Sequence, residues 1–103
     1  MKQSFYKGYR VTEDGTVYGK TGSPRKLSKR KDGYLQLTIH ETGYYGAAYK
    51  RVNFMHHKFV WEAFNGPVEG DLHVDHIDEN KSNNKLSNLR LLTPAENIGR
   101  RFR

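Results

Sequence analysis

The sequence predicts an α+β protein in one compact unit, with a small N-terminal antiparallel β-sheet plus a helix, followed by a strand–loop–strand–helix motif. Three observations carry this prediction: short β-runs separated by turns, one apolar helical stripe that Gly66-Pro67 ends, and a long polar loop between two short strands. A length of 103 residues fits a single domain. Within it we expect a β-rich region over residues 1–53 and a second region over residues 54–103.

The first half of the chain has the pattern of an antiparallel sheet. Tyr9 to Thr12 and Thr16 to Tyr18 are β-runs joined by a turn that contains Asp14-Gly15. Leu35, Leu37 and Ile39 alternate with polar neighbours, which puts one face of that strand on a core. After a turn at Thr42-Gly43, residues 44–54 are a further extended stretch. Between the strands we expect a basic loop, whose charged residues are Lys20, Arg25, Lys26, Lys29, Arg30 and Lys31.

A helix is expected from about residue 56 to Asn65. Phe59, Val60, Ala63 and Phe64 share one stripe, so this helix should pack on the sheet. His56 and His57 stand at its start, where a histidine pair is more often structural or in contact with phosphate than a metal site. We therefore do not predict them as metal ligands.

The strand–loop–strand–helix motif spans residues 72–103. Residues 72–74 form a strand that leads into Asp75-His76, residues 77–85 are too polar to be buried, and residues 90–93 return as a second strand. Thr93-Pro94-Ala95-Glu96 is a capping box with proline at the first helical position, so a helix should begin there. That helix carries Asn97, Arg100 and Arg101.

Charge is distributed unevenly along the chain. Eighteen basic residues against eleven acidic ones give a net charge of +7, which indicates a polyanionic partner such as nucleic acid. Residues 71–95 have the opposite balance, three basic to four acidic, so an acidic pocket lies between basic flanks. There are no cysteines, which excludes disulfides and cysteine-bound zinc. No apolar run approaches the roughly 18 residues of a membrane span.

The motif brings together side chains suited to cleaving a phosphodiester. Strand pairing with a helix packed across it can place Asp75, His76 and Asn97 close together. Carboxylate and amide oxygens are ligands for Mg²⁺ or Mn²⁺, and histidine is the natural base for a water that attacks phosphorus. Arg100 and Arg101 follow Asn97 on the same helical face, where a guanidinium can hold a phosphate.

Several segments together resemble the HNH endonucleases of phages and group I introns, which have a ββα-metal core. The segments are residues 57–64, Val74 to Asp78, Asn80 to Asn84, Leu86 to Arg90 and Thr93 to Asn97. The resemblance implies that Asp75 and Asn97 are metal ligands and that His76 is the general base. It also implies that Asn88 is a catalytic-site residue that braces the loop through backbone hydrogen bonds.

The same resemblance implies an endonuclease of the homing or nicking type that hydrolyses double-stranded DNA with one Mg²⁺, for which Mn²⁺ or another divalent cation can substitute, and without zinc. Residues 1–53 would be its DNA-binding region and residues 54–103 its nuclease core. It would act in the cytoplasm, as a monomer if it nicks or a homodimer if it cuts both strands. We expect phosphate contacts from Arg25, Lys26, Lys29, Arg30, Lys31, His57, Arg100 and Arg101.

Two alternatives of other classes explain the basic charge. A nucleic-acid-binding module without cleavage would need only the basic first half, and a structural RNA-binding protein would need no more. Neither accounts for the order Asp75-His76, Asn88 and Asn97. Plasmid cleavage with Mg²⁺, with and without a chelator, separates the nuclease from both.

Overall fold

A computed structural model describes residues 2–19, 22–41 and 50–96, and its first sheet is built from the N-terminal residues. The strands are β1 (Gln3–Tyr6), β2 (Tyr9–Thr12) and β3 (Val17–Tyr18), antiparallel in that order. The predicted β-run, turn and β-run at residues 9–18 are confirmed. Strand β1 was missed, because Gln3 and Phe5 are exposed and the segment lacks a polar–apolar alternation.

A second three-stranded antiparallel sheet follows, where one small sheet was predicted. It contains β4 (Leu27–Lys29), β5 (Leu35–Glu41) and β6 (Lys50–Met55), with β5 in the centre. The expectation that residues 20–31 are all loop is wrong, since β4 pairs Leu27 with Leu37 of β5. A strand this short leaves little periodicity in the sequence. The predicted turn at Thr42-Gly43 and the start of the stretch at 44–54 lie outside the described residues.

Helix α1 (His56–Asn65) covers both sheets and ends as predicted at Gly66, whose φ of 85° favours glycine. Phe59 and Val60 are buried, and the ring of Phe59 packs against Tyr6, Tyr9 and Phe54. The core combines both predicted regions of the chain. Its buried members come from β2, β3, β5, α1 and β8: Tyr9, Val11, Val17, Leu37, Ile39, Phe59, Val60 and Leu89.

The predicted strand–loop–strand motif is present after α1. Strand β7 (His73–His76) pairs antiparallel with β8 (Leu89–Leu92), and a 3₁₀ turn at Leu86–Asn88 precedes β8. The capping box is confirmed: the Thr93 amide donates to Glu96 Oε1 at 3.1 Å and the Glu96 amide donates to Thr93 Oγ1 at 3.2 Å. A second helix starts at Pro94 and is described as far as Glu96. Within the described ranges, no helix has the length and apolar character to cross a bilayer.

Candidate active site

Asp75 and His76 are the last two residues of β7, as the sequence predicts. In the register of the hairpin Asp75 lies opposite Arg90, and Arg90 Nε forms an ion pair with Asp75 Oδ2 at 3.0 Å. The Asp75 side chain is 17% exposed, so this pair is partly shielded from water. Arg90 thus fixes one side of the carboxylate, a role that sequence reasoning did not assign to it.

Asn88 joins the two ends of the loop between β7 and β8. Its Oδ1 accepts from the Asp78 amide at 3.1 Å, and its Nδ2 donates to the Asn83 carbonyl and to Asp78 Oδ1, each at 2.8 Å. Hydrogen bonds from Asn83, Asn80 and Asn88 lower the pKa of Asp78, so its carboxylate stays charged below the usual range. These are bracing contacts of the kind that the resemblance implies for Asn88, and its part in catalysis stays a prediction.

His76 is buried, with 4% of its surface exposed, and a chain of polar groups lies behind it. His76 Nε2 is 2.5 Å from Asn84 Oδ1, and Asn84 Nδ2 is 2.8 Å from His56 Nδ1. His56 Nε2 in turn lies 2.5 Å from the Gly15 carbonyl oxygen. His56 and Asn84 are themselves buried, so the candidate base is connected through the interior to the turn between β2 and β3.

Sequence reasoning missed Asn84 as a site residue. The polar loop at residues 77–85 was expected to stay in water, and most of it does, but Asn84 is only 3% exposed. No pattern in the sequence distinguishes Asn84 from Asn80 or Asn83. Its burial depends on the β2–β3 turn, which is more than 60 residues away in the chain.

The rings of His57 and Tyr34 pack beside the ring of His76. The ring of His57 stacks on Tyr34 with 5.2 Å between centroids and lies 4.9 Å from the ring of His76. Burial, followed by the charges of His76, His56 and Lys58, lowers the pKa of His57 to about 4. His57 is therefore neutral at pH 7, so a phosphate contact from it would use an N–H donor and not a positive charge.

A cavity of about 310 Å³ lies next to these three rings. Its lining combines charged and aromatic side chains with the end of β7, including Tyr34, His57, Lys58, Asp75 and His76. Lys81 approaches from the loop, with Nζ 4.6 Å from the centroid of the Tyr34 ring and 2.8 Å from the Asp32 carbonyl oxygen. The cavity thus offers a carboxylate, an imidazole and nearby cations to a ligand.

The predicted phosphate-contacting residues divide into two groups. Lys26, Lys29, Arg30 and Lys31 are exposed, and Arg30 forms a surface ion pair with Asp32 at 3.4 Å. Arg25 instead turns inward, where its Nη2 donates to the Thr38 carbonyl at 3.0 Å and its Nε is buried without a hydrogen-bond partner among the described residues. The predicted phosphate contacts Arg100 and Arg101 and the predicted metal ligand Asn97 lie outside the described residues.

Fold and site together define a small α+β protein with a strand–loop–strand–helix site. Known proteins that are similar to this chain belong to the same class. A family model described as HNH endonuclease matches residues 54–98. Protein 3.8 of Escherichia phage T7 is 54% identical over 41 residues, which are 40% of this chain and 34% of that protein. DNA endonuclease I-HmuI of Bacillus phage SP01 is 37% identical over 95 residues, which are 90% of this chain and 51% of I-HmuI.

Similarity in three dimensions extends over almost the whole chain. A solved structure of the HNH homing endonuclease I-HmuI, described as DNA binding and cleavage by that enzyme, matches with a TM-score of 0.82 and 34% sequence identity. The match covers 99% of this chain and 58% of that one, which confirms the α+β fold. The chain therefore carries the HNH endonuclease pattern over residues 54–98. It spans about half the length of I-HmuI and about a third of protein 3.8.

Proposed function

We propose that this chain is a metal-dependent endonuclease for double-stranded DNA, with His76 as general base and Asp75 and Asn97 as metal ligands. The observation that carries the proposal is the adjacent pair at the end of β7. Arg90 holds the Asp75 carboxylate and Asn84 holds the His76 ring, while both side chains line the same cavity. I-HmuI, which matches nearly the whole chain, is named as a DNA endonuclease.

In the proposed reaction His76 takes a proton from water as the water oxygen attacks phosphorus. The bond from phosphorus to the 3′ oxygen breaks and the 3′ oxygen takes up a proton from solvent, which leaves a 5′-phosphate and a 3′-hydroxyl. Imidazole suits this step because it gains and loses a proton near neutral pH. Burial of the ring limits its motion, so the imidazole keeps one orientation.

The residues at the site fit a hard divalent cation as far as they are described. Asp75 offers a carboxylate beside the cavity, a ligand type that Mg²⁺ and Mn²⁺ take, and Asn97 would add an amide oxygen. A bound Mg²⁺ would supply Lewis-acid stabilisation of the charge that develops on the phosphate and leaving oxygens. Calorimetric titration of Mg²⁺ into Asp75→Ala and Asn97→Ala tests these ligands. We expect weaker binding in both, more so for Asp75, and unchanged affinity in both would exclude the site.

DNA would lie across the surface that carries Lys26, Lys29, Arg30 and Lys31, which are exposed on β4 or directly before and after it. Replacing Lys29, Arg30 and Lys31 with alanine should flatten the dependence of log K on log salt by about 2–3 units. Fluorescence anisotropy with a labelled duplex measures both slopes. Coincident slopes would mean that the three side chains are only solvated, and the contact surface would lie elsewhere.

Cleavage of supercoiled plasmid with Mg²⁺, with and without EDTA, tests the activity itself. One chain carries one site, so we expect nicked circles before linear DNA. His76→Ala should lower the rate by about 10²–10⁴-fold while duplex binding survives. Asn65→Ala, at an exposed position at the end of α1, is a control for the loss of a polar side chain away from the cavity. Binding without cleavage by the wild-type protein would favour the non-cleaving module, and linear product without nicked precursor would favour a dimer.

A further inference from the structure

His76, Asn84, His56 and the Gly15 carbonyl form a series of hydrogen bonds, and the Gly15 carbonyl at its end determines which group donates in each bond. The Gly15 carbonyl oxygen can only accept a hydrogen bond, so His56 Nε2, 2.5 Å away, must donate. Burial is the largest influence on His56 and lowers its pKa, which keeps the ring neutral with a single N–H. Its Nδ1 is therefore an acceptor.

That acceptor determines the orientation of Asn84 and, through it, the tautomer of His76. The group of Asn84 that faces His56 Nδ1 at 2.8 Å must be the amide NH₂, so the amide oxygen faces His76. An amide oxygen accepts only, so His76 Nε2 is the donor across 2.5 Å. In neutral His76 the basic lone pair then resides on Nδ1.

We infer that Asn84 and His56 are positioning residues for the base, and that with the Gly15 carbonyl they hold His76 as the Nε2–H tautomer with Nδ1 basic. This inference rests on the proposed role of His76. Neither Asn84 nor His56 is among the residues that line the cavity, so both would act through the His76 ring. With His56 and Asn84 neutral, this is the arrangement in which each of the three contacts pairs a donor with an acceptor.

The Gly15 end of this hydrogen-bonded series is buried and held by backbone contacts, as a positioning role requires. Gly15 is buried, has φ of 90°, and its amide donates to the Thr12 carbonyl at 2.9 Å. A Cβ atom placed on Gly15 would lie 2.7 Å from the Asn84 carbonyl oxygen, so the turn and the loop are in contact backbone to backbone. The Leu86 amide also donates to the Glu13 carbonyl at 2.8 Å. The β2–β3 turn thus supports His76 through His56 and Asn84.

The tautomer can be read directly without relying on activity. Long-range ¹H–¹⁵N NMR spectra of the full chain at about pH 8, where an ordinary imidazole is neutral, give the shifts of both His76 nitrogens. We expect a protonated Nε2 in the wild type and in Asn65→Ala, and a mixture of tautomers in Asn84→Ala. A protonated Nδ1 in the wild type would overturn the inference, whether or not the protein cleaves DNA.

Kinetics provide the second readout, with a variant that preserves the pattern of donors and acceptors. Asn84→Ala and His56→Leu should lower kcat by about 10- to 100-fold, with KM within about twofold. His56→Gln should recover most of kcat, because an amide can donate to Gly15 and accept from Asn84. If Asn84→Ala does not fold, His56→Gln against His56→Leu still decides. Equal kcat in those two variants, or a wild-type kcat in folded Asn84→Ala, would refute the inference.

Discussion

The loop between β7 and β8 carries two asparagine networks that differ mainly in their access to water. Asn88 and Asp78 form one on the outer side, where Asp78 is exposed. Asn84 forms the other on the inner side, between two buried histidines. Similar hydrogen bonds are therefore made in a high and a low dielectric, and an unmet bond costs much more in the second. We expect the inner network to limit both the stability of the fold and the geometry of the proposed base, His76.

The largest effect on stability is expected where the inner network meets the first sheet. Gly15→Ala places a methyl group against the Asn84 carbonyl and forces alanine into a left-handed conformation. Left-handed backbone costs about 1–2 kcal/mol and overpacking a further 1–3, so the free energy of unfolding should fall by roughly 3 kcal/mol. Urea denaturation followed by Trp61 fluorescence measures it. Gly22→Ala, which has a similar φ but open space around it, isolates the steric part.

The next largest effect on stability is expected from acid, which acts on the buried His57 beside the inner network. The pKa of His57 is lowered to about 4, against 6.5 for a free histidine. Between these pH values His57 is therefore protonated in the unfolded chain and neutral in the folded protein. Above pH 6.5 this group does not lower the free energy of unfolding. As the pH falls from 6.5 toward 4, the free energy of unfolding should decrease by roughly 3 kcal/mol. His57→Phe should flatten this loss in melts between those two pH values. An unchanged pH dependence would mean that His57 is not the group that titrates.

The comparison is tested most directly by one substitution in each network. Asn84→Ala strands two buried imidazole nitrogens and should cost about 2–3 kcal/mol, whereas Asn88→Ala exposes its partners to water and should cost about 1 kcal/mol. Chemical denaturation of both variants, with Asn65→Ala as reference, supplies the ratio. Equal costs would show that burial does not separate the two networks.

The smallest effect is expected at the exposed end. Asp78→Asn removes a charge that accepts from Asn80, Asn83 and Asn88, yet water can replace those contacts. Its melting temperature should fall less than that of Asn88→Ala. Thermal melts at neutral pH give this order, and a larger drop for Asp78→Asn would assign the bracing of the loop to the carboxylate.

Elements that depend on local pattern were predictable from the sequence, and those that depend on distant partners were not. The stripe of Phe59 and Val60 predicted α1, and Thr93 with Glu96 predicted the cap of the second helix. Strand β4 was not predicted because three residues carry too little local pattern, and the strand forms only by pairing with β5. Arg25 belongs to a basic run, and nothing local reveals that its guanidinium bonds to the Thr38 carbonyl while Lys26 stays in water.

The sequence by itself determined the chemistry available at the site: an acid and an imidazole in adjacent positions at the end of a strand, within a basic chain. Only the tertiary structure decided how that imidazole is held. Asn84, His56 and Gly15 are separated by 28 and 41 residues along the chain and meet only when α1 packs against both the first sheet and the loop. Hydrogen-bond direction and burial are properties of that meeting point, because both depend on which groups exclude water from one another.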